Sequence, residues 1–251
     1  MQRSEAIVLG QTPYSESSVI VRLLTPRLGV VRALARGARR PGSRHRGGLE
    51  PFAYLSVMIA PREGDRLGTL GETSVIEGWD YLRSDVTRLA YAGLAVETVG
   101  RVAELSPPEP FFHEELLAYL RALGEVPGAG SLTIALLLRL LHASGFPPRI
   151  EGFDEDERLP QAVAYDFIEG TLVDEKTAGP HIMRLPGRAI EAIRTALDAP
   201  PPLSPEFNVR GADGPPLLRW LIRVWEDHLN ARLQSADFLE EMVLKRPRPE
   251  R

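Results

Sequence analysis

Glu5-Ala-Ile-Val-Leu-Gly-Gln11, Ser18-Val-Ile-Val-Arg-Leu-Leu-Thr25 and Val30-Val-Arg-Ala-Leu-Ala-Arg36 decide the fold. Each run is rich in β-branched and aliphatic residues, and turn signals separate them: Thr12-Pro13, then Pro26 to Gly29. A Gly/Arg-rich loop leads on to two further runs, 52–60 and 67–79, joined by Pro61-Arg-Glu-Gly-Asp65. Five strands with tight turns and one long basic loop suit a small closed barrel, because closure removes exposed strand edges. On pattern alone an OB-fold is preferred to an SH3-like barrel.

The period changes at Asp80. Val86, Leu89, Gly93, Val96 and Gly100 fall along one helical face, with Asp85 as a first-turn acid. Pro107-Pro-Glu-Pro110 interrupts, 114–123 reads as a second helix, and 132–143 is apolar nearly all round, the mark of a helix buried on most sides. Residues 149–180 hold nine acidic residues against Arg149, Arg158 and Lys176. Within them, 162–168 and 171–173 flank Glu169-Gly170, a hairpin signal. Pro186 suits the first turn of a helix carrying Ile190, Ile193 and Leu197. A last long helix, 215–233, carries Leu217, Trp220, Leu221, Val224 and Leu229. The expected class is therefore α+β: a five-stranded barrel (1–80), a helical domain (81–148 and 185–244), a small β-hairpin insert (149–184) and a flexible tail (245–251).

Composition excludes several chemistries. The chain has no cysteine, so disulfides, thiol catalysis and thiolate metal sites are out. Its longest apolar run, 134–138, is far short of the roughly 20 residues that cross a bilayer, and its first residues lack a secretory pattern. A cytoplasmic protein without a membrane partner is expected. A P-loop signature and a nucleophile elbow are both missing. Asp154, Asp156 and Asp174 could be read as a metal-nuclease cluster, but acidic runs are usually solvated loops, and the histidines are scattered.

The net charge of −4 conceals an asymmetry. Residues 1–80 carry eleven arginines against eight acids, a net +3, which leaves −7 for the rest. Positions 22–46 contain eight arginines, one histidine and no acid. Such a run can be a solvated face, yet Arg39, Arg40, Arg44 and Arg46 stand in one loop with Pro41, Gly42, Gly47 and Gly48. A phosphate backbone relieves the repulsion among them, and counterion release drives such binding. Arg36, Arg39, Arg40, Arg44 and Arg46 are accordingly the DNA-binding candidates. Tyr14, Phe52 and Tyr54 are possible stacking aromatics. A core role competes for Phe52 and Tyr54, which differ by two and would share a strand face, so Tyr14 is the one retained.

Several ordered motifs resemble the RecO family of bacterial recombination mediators. They are Glu5-Ala-Ile-Val-Leu9, Pro13-Tyr-Ser-Glu-Ser17, Leu23-Leu-Thr25, Gly29, Ala35-Arg-Gly-Ala-Arg-Arg-Pro-Gly-Ser-Arg44 and Gly48-Leu-Glu-Pro-Phe52, then 137–141 with Gly145-Phe146, and Leu233-Gln-Ser-Ala-Asp-Phe-Leu239. The resemblance is close over 4–150 and looser over 185–244. It implies an OB-fold, a helical domain, no catalysis and no cofactor. It also implies binding of single- and double-stranded DNA, annealing of complementary strands, pairing with RecR, and a nucleoid-associated role in loading RecA onto DNA coated by single-strand-binding protein. The acidic, Phe-ending tail of that protein would need an apolar slot rimmed by arginine, for which Arg121, Arg139 and Arg223 are candidates. Many family members carry a four-cysteine zinc module in the insert. Here Asp174 and Thr177 stand at two cysteine positions, with Glu151 and Asp154 matched to the other pair, so no metal is expected. The competing reading is an OB-fold RNA-binding or nucleic-acid chaperone protein outside recombination.

Overall fold

Alternation builds the first strands. In β2 (Val19–Thr25) and β3 (Gly29–Ala35) the odd-numbered residues Val19, Val21, Leu23, Val31, Ala33 and Ala35 are buried, while Ile20, Arg22, Arg32 and Leu34 point the other way. The computed structural model describes residues 1–43, 45, 48–61, 67–153, 159–176, 179–199, 203 and 206–244. With β1 (Gln2–Pro13), β4 (Tyr54–Ala60) and β5 (Gly68–Glu77), these strands close a barrel in the order β1-β2-β3-β5-β4. All pairings are antiparallel except β3 with β5, which run parallel through Ala33↔Gly68 and Leu34↔Thr69. This is an OB-fold, as the pattern suggested. Its interior is filled by small and branched side chains from all five strands, among them Ala6, Val8, Leu55, Ile59 and Leu70.

Ile7, Leu9 and Leu24 are also buried, yet they stand outside that interior set. Three helices follow the barrel: α1 (Tyr81–Ser84), α2 (Val86–Leu105) and α3 (Pro110–Glu125). Asp85 caps α2 by accepting hydrogen bonds from the N–H groups of Thr87 (2.9 Å) and Arg88 (3.0 Å). The helix then lies so close to β1 that a Cβ on Gly100 would come within 3.1 Å of Leu9 Cδ1. Compact packing therefore divides the chain at Gly124/Glu125, although strands give way to helices near residue 80. The boundary expected at 80 marks a change of secondary structure and not of packing, because α2 and α3 cover the barrel. On α2 the expected face is only part of what is buried: Val96 and Gly100 are covered, Leu89 and Gly93 partly so. Val86 is exposed, whereas Ala90, Tyr91, Leu94, Ala95, Val99 and Val102 are buried around the whole helix.

Helix α3 is tied down polar group by polar group. Arg121 forks onto both Glu77 carboxylate oxygens, and its guanidinium lies 5.8 Å from the Tyr54 ring centre. The fork holds the Glu77 carboxyl below its ordinary range. Tyr54 donates its hydroxyl to Glu5, and burial first, then that carboxylate, raises its pKa to about 12. Tyr54 is thus buried, and Phe52 precedes β4 at φ +75°, so the two do not share a strand face.

His113 of α3 is 3% exposed, and its Nε2 has no hydrogen-bond partner among the described residues. Burial lowers its pKa to about 4; the Glu5 carboxylate opposes the shift and Arg121 adds to it. The folded pKa lies below the unfolded value, so the neutral ring stabilises fully above about pH 6.5, and that contribution is lost as pH falls towards 4. Between pH 7 and pH 4.5, His113→Phe is expected to remove roughly 2 kcal/mol of that acid-induced loss. Urea unfolding at pH 7 and pH 4.5 checks it: equal losses in both proteins would refute the assignment.

The second unit is built on α4 (Ala129–Ala143), whose Leu132, Ile134 and all residues from Leu136 to Leu141 are buried. Helix α5 (Ala189–Asp198) and helix α6 (Gly214–Leu229) pack on it, and Trp225 of α6 donates its indole N–H to the Leu137 carbonyl at 3.3 Å. Asn230, at φ +46°, ends α6 four residues earlier than the apolar pattern suggested. The expected hairpin forms as β7 (Ala162–Asp166) and β8 (Thr171–Asp174), but its turn spans four residues. The Asp166 carboxylate accepts hydrogen bonds from the Ile168 and Glu169 N–H groups, and Gly170 takes a φ of +66°. Two further strands, β6 (Arg149–Ile150) and β9 (Ile182–Pro186), extend it to a sheet of order β6-β8-β7-β9. Pro186 therefore ends a strand and does not open a helix; α5 begins three residues later. The tail 245–251 lies outside the described residues.

Candidate nucleic-acid interface

Register places the outward residues of β1, β2 and β3 in rows. Gly10, Arg22 and Arg32 face one another across the three strands, followed by Thr12, Ile20 and Leu34. The strand ends continue the pattern. The Tyr14 N–H donates to the Ser18 carbonyl at 3.0 Å, the Gly37 N–H to Ser18 Oγ at 3.3 Å, and the Arg39 N–H to the Ser17 carbonyl at 3.0 Å. These bonds bind the loop between β1 and β2 to the start of the basic loop. Gly37 and Gly42, at φ +68° and +75°, let that loop turn twice within six residues.

One end of the barrel therefore presents Tyr14, which is 58% exposed, beside exposed Arg36, Arg39 and Arg40. Below them lie the partly buried Ile20 and Leu34, then exposed Arg32. None of these four arginines forms an ion pair among the described residues. Glu16, on the β1–β2 loop, is the nearby acid in sequence and is exposed. Unneutralised guanidinium groups above an apolar strip with one open aromatic can hold phosphates while bases stack. The face of strands 2 and 3 and the loop between strands 1 and 2 are also where OB-folds take oligonucleotides.

The run of eight arginines is not one patch. Arg27 sits in the β2–β3 turn, at the far end of those strands. Arg22 is neutralised by Glu104 of α2 at 2.9 Å. Arg44 and Arg46 lie outside the described residues. Arg32 was missed by the sequence reading, although the alternation Arg32, Leu34, Arg36 in a strand places it on the face of Arg36. His45 was missed as well. It is 3% exposed, its Nδ1 lies 3.3 Å from Thr73 Oγ1, and its carbonyl accepts the Gly48 N–H, so it anchors the basic loop to β5.

The three candidate tail-binding arginines have separate partners. Arg121 belongs to the first unit and is engaged by Glu77 and Tyr54. Arg139, on α4, is buried and donates to the Ala199 carbonyl at 2.6 Å, so it braces a loop and does not rim an open slot. Arg223 remains at the surface, paired with Asp227 one turn on and 5.9 Å from the Phe167 ring centre. In the small sheet, Asp174 accepts the Lys176 N–H, and Glu151 stands 3.9 Å from Arg149. Asp154, Asp156 and Thr177 lie outside the described residues. Among the described residues no helix is long and apolar enough to cross a membrane.

The family described as Recombination protein O N terminal matches residues 1–79, and Recombination protein O C terminal matches 83–237. A DNA repair protein RecO from Anaeromyxobacter sp. (strain K) is 32% identical over 249 residues, 94% of each chain. Another, from Myxococcus xanthus (strain DK1622), is 31% identical over 251 residues, 96% of this chain and 97% of its own. A third, from Bacillus subtilis (strain 168), is 33% identical over 150 residues, 60% of this chain and 58% of its own.

Proposed function

Since the chain belongs to the RecO family of DNA repair proteins, we propose that it binds DNA through the arginine face of its barrel and acts as a recombination mediator without a catalytic step. In this reading it anneals complementary strands and, with RecR, helps RecA load onto DNA coated by single-strand-binding protein. It works in the cytoplasm, on the nucleoid. The observation that carries the proposal is the face that Tyr14, Arg32, Arg36, Arg39 and Arg40 share, four exposed cations without counter-ions among the described residues. Annealing needs a protein that holds backbones and leaves base edges free, and arginine–phosphate contacts do this because they carry no sequence information.

Membership in the family supports the further partner, the tail of single-strand-binding protein. Of the three arginines considered for that tail, Arg223, beside Phe167, is the exposed one in the second unit and would be its contact. The test is annealing of complementary oligonucleotides coated with the cognate single-strand-binding protein. Annealing is expected with the intact coat and is expected to fall when the coat lacks its last tail residues. No acceleration on either coat would overturn the mediator reading, and stronger binding to structured RNA than to single-stranded DNA would favour the RNA-chaperone alternative.

A further inference from the structure

We infer that Glu104 competes with DNA phosphate for Arg22, holding that arginine out of the interface and keeping DNA affinity below what the face could reach. The inference rests on the DNA-binding reading of the barrel. Arg22 stands directly opposite Arg32 on the outward side of β2 and β3, so by strand register it is a member of the same row. Its Nε nevertheless donates to Glu104 Oε1 at 3.1 Å, and its Nη2 lies 2.9 Å from the same oxygen. Carboxylate and phosphate oxygens bind the same guanidinium fork, so the carboxylate occupies the position a phosphate would take.

Local structure places the pair deliberately close. A Cβ on Gly100 would come within 3.4 Å of Arg22 Nη2, so glycine at that position leaves room for the guanidinium beside α2, one turn before Glu104. Across the strands from Arg22, no described residue lies within 4 Å of where a Gly10 Cβ would stand, which leaves room for a ligand. The Arg22 and Glu104 side chains are 37% and 39% exposed, open enough to be reached by water and phosphate. An arginine already neutralised by protein holds no condensed anions in exchange for DNA. Arg22 therefore adds nothing to the counterion release on which affinity depends.

The test uses the full-length chain and a single-stranded oligonucleotide titrated over a range of salt. Glu104→Gln is expected to bind about fivefold more tightly near 0.1 M salt, with a log–log salt slope steeper by about 0.7, and to lose the gain towards 1 M. Arg22→Ala alone is expected to change little, and in the double variant the gain is expected to disappear. Asp198→Asn, an exposed acid in the second unit, controls for net charge and should leave binding unchanged. Unchanged affinity and slope in Glu104→Gln would overturn the inference, as would a gain that survives Arg22→Ala or a loss in Arg22→Ala equal to that of Arg32→Ala. Arg32→Ala in the same series separates the two levels. If it weakens DNA binding while Glu104→Gln does nothing, only the competitor fails; if it too does nothing, the arginine face is not the DNA path.

Discussion

Replacing Arg32, Arg36, Arg39 and Arg40 together by alanine is expected to weaken single-stranded DNA binding several hundredfold near 0.1 M salt. Each phosphate contact contributes about 0.7 to the slope of log affinity against log salt on a single strand, so four contribute about 2.8. Counting Arg44 and Arg46 as further contacts, the unmodified chain should show a slope near −4.2, and the variant one near −1.4. The fold should tolerate the change. All four side chains are exposed or outward-facing, without ion pairs among the described residues, and surface substitutions of that kind stay within about 0.5 kcal/mol. Tyr14→Ala should act differently, costing about 1–3 kcal/mol of affinity with little change in slope, because stacking releases no counterions. Fluorescence titrations over a salt series, with unfolding midpoints alongside, read both quantities. A folded fourfold variant with unchanged slope would move the DNA path off this face.

Much of that face was legible before any coordinates. Alternation between buried and outward residues in 19–25 and 29–35 is a local property, and it predicts both the strands and the side on which Arg22, Arg32 and Arg36 emerge. What stayed hidden depends on packing between distant segments. Ala6-Ile-Val-Leu9 reads as an uninterrupted apolar run, the signature of a strand covered on both faces. Only α2, with Gly100 against Leu9, shows what lies on the second side. The same helix brings Glu104 to Arg22 across 82 positions, a pairing no spacing rule could suggest. Arg139 illustrates the opposite failure. A lone arginine on an apolar helix looked like a rim residue, but the carbonyl of Ala199, 60 positions on, lets it be buried. The two strands flanking the hairpin were missed because β6 has only two residues and β9 ends on a proline, which read as a helix start.

Trp220→Ala is expected to cost the second unit about 3–5 kcal/mol, the largest stability effect of any single truncation considered. Trp220 is wholly buried on α6 and meets the Tyr165 ring edge-on at 5.1 Å, so it joins the helices to the small sheet. Its indole N–H has no partner among the described residues, unlike that of Trp225, which bonds the Leu137 carbonyl. The conservative replacements should therefore diverge. Trp220→Phe loses apolar area but also relieves an unsatisfied buried donor, worth about 1–3 kcal/mol, and should come out within about 1 kcal/mol of the unmodified chain. Trp225→Phe loses similar area together with a hydrogen bond, and should be worse by about 1 kcal/mol or more. Chemical denaturation of the three variants, read through the remaining tryptophans, ranks them. Equal losses for the two phenylalanine variants would mean that the Trp220 N–H is satisfied in solution. Under conditions where each variant is folded, the salt slope of DNA binding should match that of the unmodified chain, since the arginines that set it belong to the first unit.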